Sequence, residues 1–464
     1  MVQTSLGKHS FILNLIDDPI PRLIWRIAAP ASVGFFFNTM YNVVDTLFAG
    51  LVSTEGLAAL SLCFPVFFIV LAMGSGVAQG GTALMANAHG AGQGGQAHHI
   101  FFQCLSFGCF VSLVLTFVGL GFAPSLFEIL GAEGDYLELT MDYMSVIMSC
   151  TVFFILQAIL NAALNAKGDT RTYRDVLIVG FFLNCVLDPW FMYGGAGLPA
   201  MGLKGIALAT VLIQIAGCGY LLWRVSQLDI WEGDRLANLR PTRTYLEIAR
   251  QGIPASLNMM TVAIGIFVIT FFISKFSKEG VAAYGVATRI EQIVLLPTIG
   301  LNIAVLSLVG QNNGAKRLDR VKAIWLTAMK WGSLMMLVSG GLVFMAGRSL
   351  MALFTADEQV VQTGYEYLRI ASITLCSYVI LFQTVAMLQG VKRPAYAIWI
   401  GIYRQIVAPC LFFYLFAFVM AWNLDGIWWG IFTVTWSAAL LTLWYGRRTL
   451  RNLMESEEGD SVGG

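Results

Sequence analysis

Residues 24–50 read IWRIAAPASVGFFFNTMYNVVDTLFAG, and three features of this stretch organise the rest of the chain. It is longer than the ~20 mostly apolar residues that a helix needs to cross the hydrocarbon core of a bilayer. It contains Pro30-Ala31-Ser32, a triplet that returns downstream as Pro254-Ala255-Ser256. It also carries one acid, Asp45, deep within the apolar run.

The first feature recurs. Eleven further runs are long enough to span, at about 57–87, 99–122, 139–165, 173–193, 203–224, 250–274, 281–311, 323–346, 363–389, 394–420 and 427–446. Composition agrees: of 464 residues 57% are hydrophobic and only 12% charged, half the roughly 25% of soluble domains, and the mean hydropathy is +0.73. A water-soluble enzyme is excluded. A net charge of +1 provides no basic excess for nucleic acid. The eight cysteines form no CxxC pair and no metal-ligand spacing with His, so they read as small apolar fillers. The first 26 residues contain Asp17, Asp18, Pro19 and Pro21, and the apolar run that follows exceeds the ~7–15 residues of a signal h-region. The first span is therefore expected to stay attached. Lys and Arg alternate across the twelve-span reading. Twenty lie on one side, from Lys8 through Arg235 to Arg451, against Lys204, Lys275, Lys278 and Arg348 on the other. The positive-inside rule then predicts a multi-pass protein of the cell (inner) membrane with both termini cytoplasmic.

The second feature is a repeat. Gly56-Leu57-Ala58-Ala59 returns as Gly280-Val281-Ala282-Ala283, Gly90-Ala91 as Gly314-Ala315 and Tyr143 as Tyr367, all at a lag of 224. The lag slips slightly later, where Gly205-Ile206 matches Gly426-Ile427. The expected organisation is an N-terminal six-helix bundle (1–224), a cytoplasmic linker (225–249), a C-terminal six-helix bundle (250–450) and a polar tail (451–464). An even number of spans per half relates the bundles by a pseudo-twofold along the membrane normal, a geometry that suits a transporter with a central cleft.

The third feature is what the repeat does not copy. Asp45 faces Ile269 at the 224 lag, and Asp188 faces Pro409 on the alignment of Gly180 with Gly401. Intramembrane acids are costly and usually functional. Asn38, Asn42 and Asp45 share one helical face, and Asn184 lies one turn before Asp188. Tyr143, the series Gln157, Asn161 and Asn165, and Thr210 add polar groups to the same half. Two neighbouring carboxylates in a low dielectric do not readily both carry charge, so a proton or a small cation is expected between them. The oxygen-only donor set suits a hard monovalent cation rather than a transition metal.

Other signals are read structurally. Gly90, Gly92 and Gly95 satisfy GxGxxG without a preceding strand, and Gly76 and Gly80 suit close helix packing. His89, His98 and His99 are expected in a solvated loop. Glu291 is expected to pair with Arg289, Arg369 or Arg404.

Together "YNVVDTLFAG" (41–50), "GLAALSLCFP" (56–65), "NAALNAKGDTR" (161–171) and "FFLNCVLDPWF" (181–191) resemble the multidrug and toxic compound extrusion (MATE) family. "RIEQIVLLPTIGL" (289–301) with "LVGQNNGA" (308–315) is similar to its DinF-like prokaryotic branch. The likeness spans about residues 15–450. It implies an all-α membrane protein of twelve transmembrane helices in two pseudo-twofold-related bundles. The implied activity is secondary active antiport of amphiphilic, often cationic, compounds by alternating access, with H⁺ the expected ion and Na⁺ the alternative. It places ion coupling, or a Na⁺ site, at Asp45, Asp188, Asn184 and Thr210, with Tyr143 and Asn161 alongside; the helical spacing adds Asn42, Asn38 and Gln157 to the expected N-lobe cavity. No cofactor beyond the coupling ion, a monomeric state in the lipid bilayer and no nucleic-acid partner are expected. Another branch carries an acid in the seventh span, where 250–274 has none. Two alternatives stand beside this reading. A lipid-linked oligosaccharide flippase would line its cavity with several cations, whereas Lys and Arg away from the span ends are few (Arg289, Lys330, Arg369 and Arg404). An intramembrane aspartyl protease would show Gly-x-Gly-Asp, which neither acid does.

Overall fold

Helix boundaries follow the chain's own punctuation. Ser53 begins the second helix by accepting a hydrogen bond from Gly56 N at 2.8 Å, and Ser277, 224 residues later, does the same for Gly280 N at 2.8 Å. Thr242 and Asp357 cap two further helices. The turns that follow repeat as well. Gly92 (φ 71°) and Gly168 (φ 79°) adopt left-handed backbone, and Lys316 (φ 56°) and Lys392 (φ 61°) do so one lag later.

A computed structural model describes residues 14–228, 238–240 and 242–462. The first lobe contains α1 (Ile20–Val52), α2 (Thr54–Gly90), α3 (Gly94–Ile129), α4 (Gly134–Ser149), α5 (Thr151–Ala166), α6 (Arg171–Tyr193) and α7 (Gly202–Val225). The second contains α8 (Arg243–Ser274), α9 (Lys278–Gly314), α10 (Leu318–Ala352), α11 (Glu358–Gly390), α12 (Tyr396–Ile402), α13 (Ala408–Phe413) and α14 (Asn423–Val462). π-helical turns at Tyr403–Val407 and Tyr414–Val419 join α12 to α13 and follow α13, making one span of Tyr396–Val419. Among the described residues, ten spans are long and apolar enough to cross a membrane, and α4 with α5, bent by 45°, makes an eleventh. The 33-residue α1, whose apolar character Asn38, Asn42 and Asp45 dilute, is long enough for the expected twelfth. Helix occupies both ends of the expected linker, to Val225 and from Arg243, and extends to Val462 in the expected tail. Lys8, Arg235 and residues 463–464 lie outside the described residues.

Glycines set the seam between the lobes, and they do so twice. A Cβ on Gly76 of α2 would collide with Ser256 and the Gly252 carbonyl of α8, and one on Gly300 of α9 would collide with Ser32 and the Ala28 carbonyl of α1. Gly76 and Gly300 are one lag apart, as are Ser32 and Ser256. Near the terminal face, where α1 starts and α14 ends, Gly90 abuts the Gln311 backbone and Gly314 abuts that of Asn87, again a reciprocal pair. Leu23, Ile24 and Ile27 of α1 sink among Leu301, Val305 and Trp325 of the second lobe.

Polar groups complete this terminal face. Asn87 Nδ2 donates to Gly390 O at 2.8 Å, Asn313 Nδ2 to Asn87 Oδ1 at 2.7 Å and Gln311 Nε2 to Ala166 O at 2.7 Å. The segment before α1 is clamped there too. Asn312 Nδ2 donates to Leu15 O at 3.0 Å, Arg317 reaches Asp17 at 2.6 Å and Arg320 donates to Asp18 O. Among the described residues, the side-chain hydrogen bonds crossing between lobes lie at this end.

Candidate functional site

α1 crosses the first lobe with Asn38, Tyr41, Asn42 and Asp45 along the face it turns to a cavity of about 140 Å³. α2 contributes an apolar wall of Leu60, Phe64, Phe67 and Leu71; Tyr143, Phe154, Thr210 and Gln214 come from α4, α5 and α7. Phe67 and Phe154 meet edge to face with centroids 5.3 Å apart. Asn38 and Asn42 remain exposed, while Asp45 is buried.

α6 delivers the second acid from behind. Asn184 and Asp188, one turn apart, are both fully buried. Asn184 Nδ2 donates to Asp45 Oδ1 at 2.8 Å, tying α6 to α1. Asp188 and Thr210 stand against the same Asp45 carboxyl. Both Asp188 oxygens, Asn184 Oδ1 and Thr210 Oγ1 are buried without a hydrogen-bond partner. A carboxylate only accepts, so Asp45 and Asp188 can bond one another only through a shared proton or a cation held between them. The oxygens gathered here (two carboxyls, an amide and a hydroxyl) are hard donors that fit either.

The structure thus brings Asp45, Asn184, Asp188 and Thr210 together and places Tyr143, Asn38 and Asn42 around the adjoining cavity. Gln157 and Asn161 do not line it. Phe154 is the α5 residue that does, and the other two lie about one and two turns further toward the terminal face, where Gln157 packs against Gly217 of α7. Sequence reasoning passed over Tyr41 and Gln214, although each stands one turn from a chosen residue, Asp45 and Thr210.

Compared with known families, residues 30–190 and again 254–413 match the MatE model, once in each lobe. The chain belongs to the MatE family. Among curated relatives of this MatE chain, the FAD transporter of Shewanella oneidensis is 27% identical over 85% of the chain and 87% of its own length. The probable multidrug resistance protein NorM of Thermotoga maritima is 26% identical over 76% and 77%. The multidrug export protein MepA of Staphylococcus aureus is 25% identical over 85% and 87%. A multidrug resistance MATE transporter of the MOP superfamily solved in an outward-facing conformation superposes with a TM-score of 0.89 at 25% identity, covering 96% of this chain and 99% of its own. A MOP-superfamily transporter from Pyrococcus furiosus matches equally, TM-score 0.89 at 25% identity, over 97% and 100%.

Two further sequence readings of this MatE chain change. His89 ends α2, and His98 and His99 belong to α3, rather than to a solvated loop: His98 is buried against Phe102, with centroids 4.7 Å apart, and His99 meets Asn238 at 2.6 Å and Thr242 at 3.2 Å. α3 begins at Gly94, early enough to carry both rings into the packing. Glu291 is held by a hydroxyl rather than by an ion pair, with Tyr367 OH donating to its Oε2 at 2.7 Å.

Proposed function

We propose that this MatE protein is a cation-coupled exporter of amphiphilic organic cations working by alternating access, with its terminal face in the cytoplasm. The observation that carries this reading is the pair of buried acceptor-only carboxyls, Asp45 and Asp188, beside a half-apolar cavity in one lobe. Such a pair changes its bonding when it gains or loses one positive charge, and that charge comes from the ion gradient. H⁺ is the favoured coupling ion, because a shared proton satisfies both acids without the further ligands that Na⁺ recruits.

The cavity suits the cargo. Phe64, Phe67 and Phe154 present rings to an apolar or cationic body, a contact contributing roughly 0.5–2 kcal/mol per cation–π pair, and Asn38 and Asn42 offer neutral polar groups. With the terminal face sealed by reciprocal contacts, the described conformation corresponds to one open away from the cytoplasm. Ion uptake by Asp45 and Asp188 draws α1, α6 and α7 together around the neutralised pair and weakens the cavity's hold on cargo. Ion release on the cytoplasmic side restores it. Ion and cargo need only favour opposite packings of α1 to be linked. Relatives named for multidrug resistance and export support this choice of cargo.

The relative named as an FAD transporter supports a second reading, an anionic flavin nucleotide as cargo. One experiment separates the readings. Purified protein in liposomes is loaded with ethidium or with FAD and given an imposed pH gradient or an imposed Na⁺ gradient. Ethidium efflux driven by the pH gradient is expected. FAD efflux alone would replace the cargo, and absence of gradient dependence would end the coupling proposal.

A further inference from the structure

The second lobe contains its own buried polar cluster, and the repeat shows where it lies. At the lag of 224, Tyr284, Glu291, Tyr367 and Tyr378 are the counterparts of Leu60, Phe67, Tyr143 and Phe154, four residues of the first lobe's cavity wall. The two lobes thus use the same location with inverted chemistry. In the first, the acids sit on α1 and α6 and face an apolar wall. In the second, those acid positions are Ile269 and Pro409, and the acid has moved to the wall as Glu291 on α9.

Glu291 is 8% exposed; its Oε2 accepts from Tyr367 OH at 2.7 Å, while its Oε1 is buried without a partner. The titratable and charged groups facing it are Tyr367 and Tyr378 on α11, Arg404 on the π-helical turn and Tyr284 on α9 itself. Arg404 does not close on the acid. Its guanidinium lies 5.3 Å from the Tyr378 ring centroid and 5.8 Å from that of Phe382, and its Nη1 is buried without a partner. The π turn fits here because Gln405 fills the space over Gly265 of α8, which has no side chain; such turns recur at functional sites.

We propose that Glu291 is a second proton-binding site, set in the C-terminal lobe and charge-compensated by Arg404. The neighbouring guanidinium disfavours a metal cation at this carboxyl, whereas a proton converts the carboxylate to a neutral acid. The balance is one proton added to Glu291 Oε1, with no other bond made or broken. Arg404 tolerates the loss of its counter-charge because it is only half-buried and rests on two rings. Each protonation therefore raises the charge of this lobe's interior by one, opposing a cationic cargo on the side where protons enter. This last consequence rests on the export reading above; the proton site itself does not.

The test is pH-difference infrared spectroscopy of the purified full-length protein in lipid nanodiscs, which needs no transport. The background variant Asp45→Asn/Asp188→Asn removes the first-lobe acids. A protonated-carboxyl stretch that titrates in this background, is lost on adding Glu291→Gln and is retained, shifted in frequency, with Glu291→Asp is the expected result. Two outcomes overturn the proposal: no titrating band in the background variant, or a band that Glu291→Gln leaves in place. Glu291→Asp, which keeps a carboxyl, guards against a Glu291→Gln protein that fails to fold, because its band must still move in frequency if Glu291 is the source. Ethidium efflux from liposomes, measured on protein that keeps Asp45 and Asp188, fails independently if the export reading is wrong.

Discussion

At the scale of single residues, what matters is which oxygen faces which hydrogen. Asp45 has a donor in Asn184 and Asp188 has none, so the two acids differ in their dependence on the ion. Asp45→Asn should leave the protein folded and lower gradient-driven ethidium efflux by about 5- to 150-fold, the usual range of a coupling free energy; unchanged efflux would remove Asp45 from the mechanism. Asn184→Leu strips the donor from a buried carboxyl oxygen, a loss of roughly 1–3 kcal/mol, and thermal unfolding in detergent should show the lower midpoint. Both acids could be read from sequence because a charge inside an apolar run stands out wherever it falls. Tyr41 and Gln214 could not, since a tyrosine or glutamine in a span is as often packing as function, and only the fold shows which side of a helix faces the cavity. Gln157 illustrates the converse: polar, regularly spaced and in the right span, but too far along α5 to reach the site.

Among elements, the turns and the crossings carry the lesson. The repeat retained the hairpin geometry at 92 and 316, and at 168 and 392, while the glycine of the first copy became lysine in the second. A side chain in left-handed backbone costs about 1–2 kcal/mol, partly offset because glycine is looser when unfolded. Lys316→Gly should therefore raise stability by up to about 1 kcal/mol, seen as a higher unfolding temperature. Gly90→Val should do the opposite. Its branched side chain has no room beside the Gln311 backbone, and overpacking of this kind costs roughly 1–3 kcal/mol. A thiol reagent added to the terminal face should then label a Leu15→Cys probe faster than in the unmodified background. The membrane spans and their duplication were legible because length and periodicity survive without tertiary detail. The bend between α4 and α5 was not: nothing at Cys150 breaks a helix in sequence, and packing decides it. The π turns of the eleventh span are likewise a tertiary outcome, shaped where Gln405 meets Gly265 and where Pro409 lacks a backbone donor.

For the whole molecule, the asymmetry between its two faces is the central fact. One face is stitched by glycines, amides and the segment preceding α1. Arg317 and the Asn14 amide hold the Asp17 carboxyl below the usual carboxylate range. Its contribution to this closure is thus complete above the unfolded value of 3.8 and is lost as pH falls through the lower folded value. The unfolding temperature should lose this contribution only in strong acid, whereas Asp17→Asn should raise labelling of Leu15→Cys already at neutral pH; a flat response to both would show that the clamp does not restrain the face. The same face also sends out α14, which runs without interruption from Asn423 to Val462. Forty residues of helix measure about 60 Å, twice the ~30 Å of a bilayer's oily layer. A fluorescent module joined in helical phase beyond Val462 would swing like the needle of a gauge, turning a few degrees of tilt in its lobe into a displacement large enough to follow one molecule at a time.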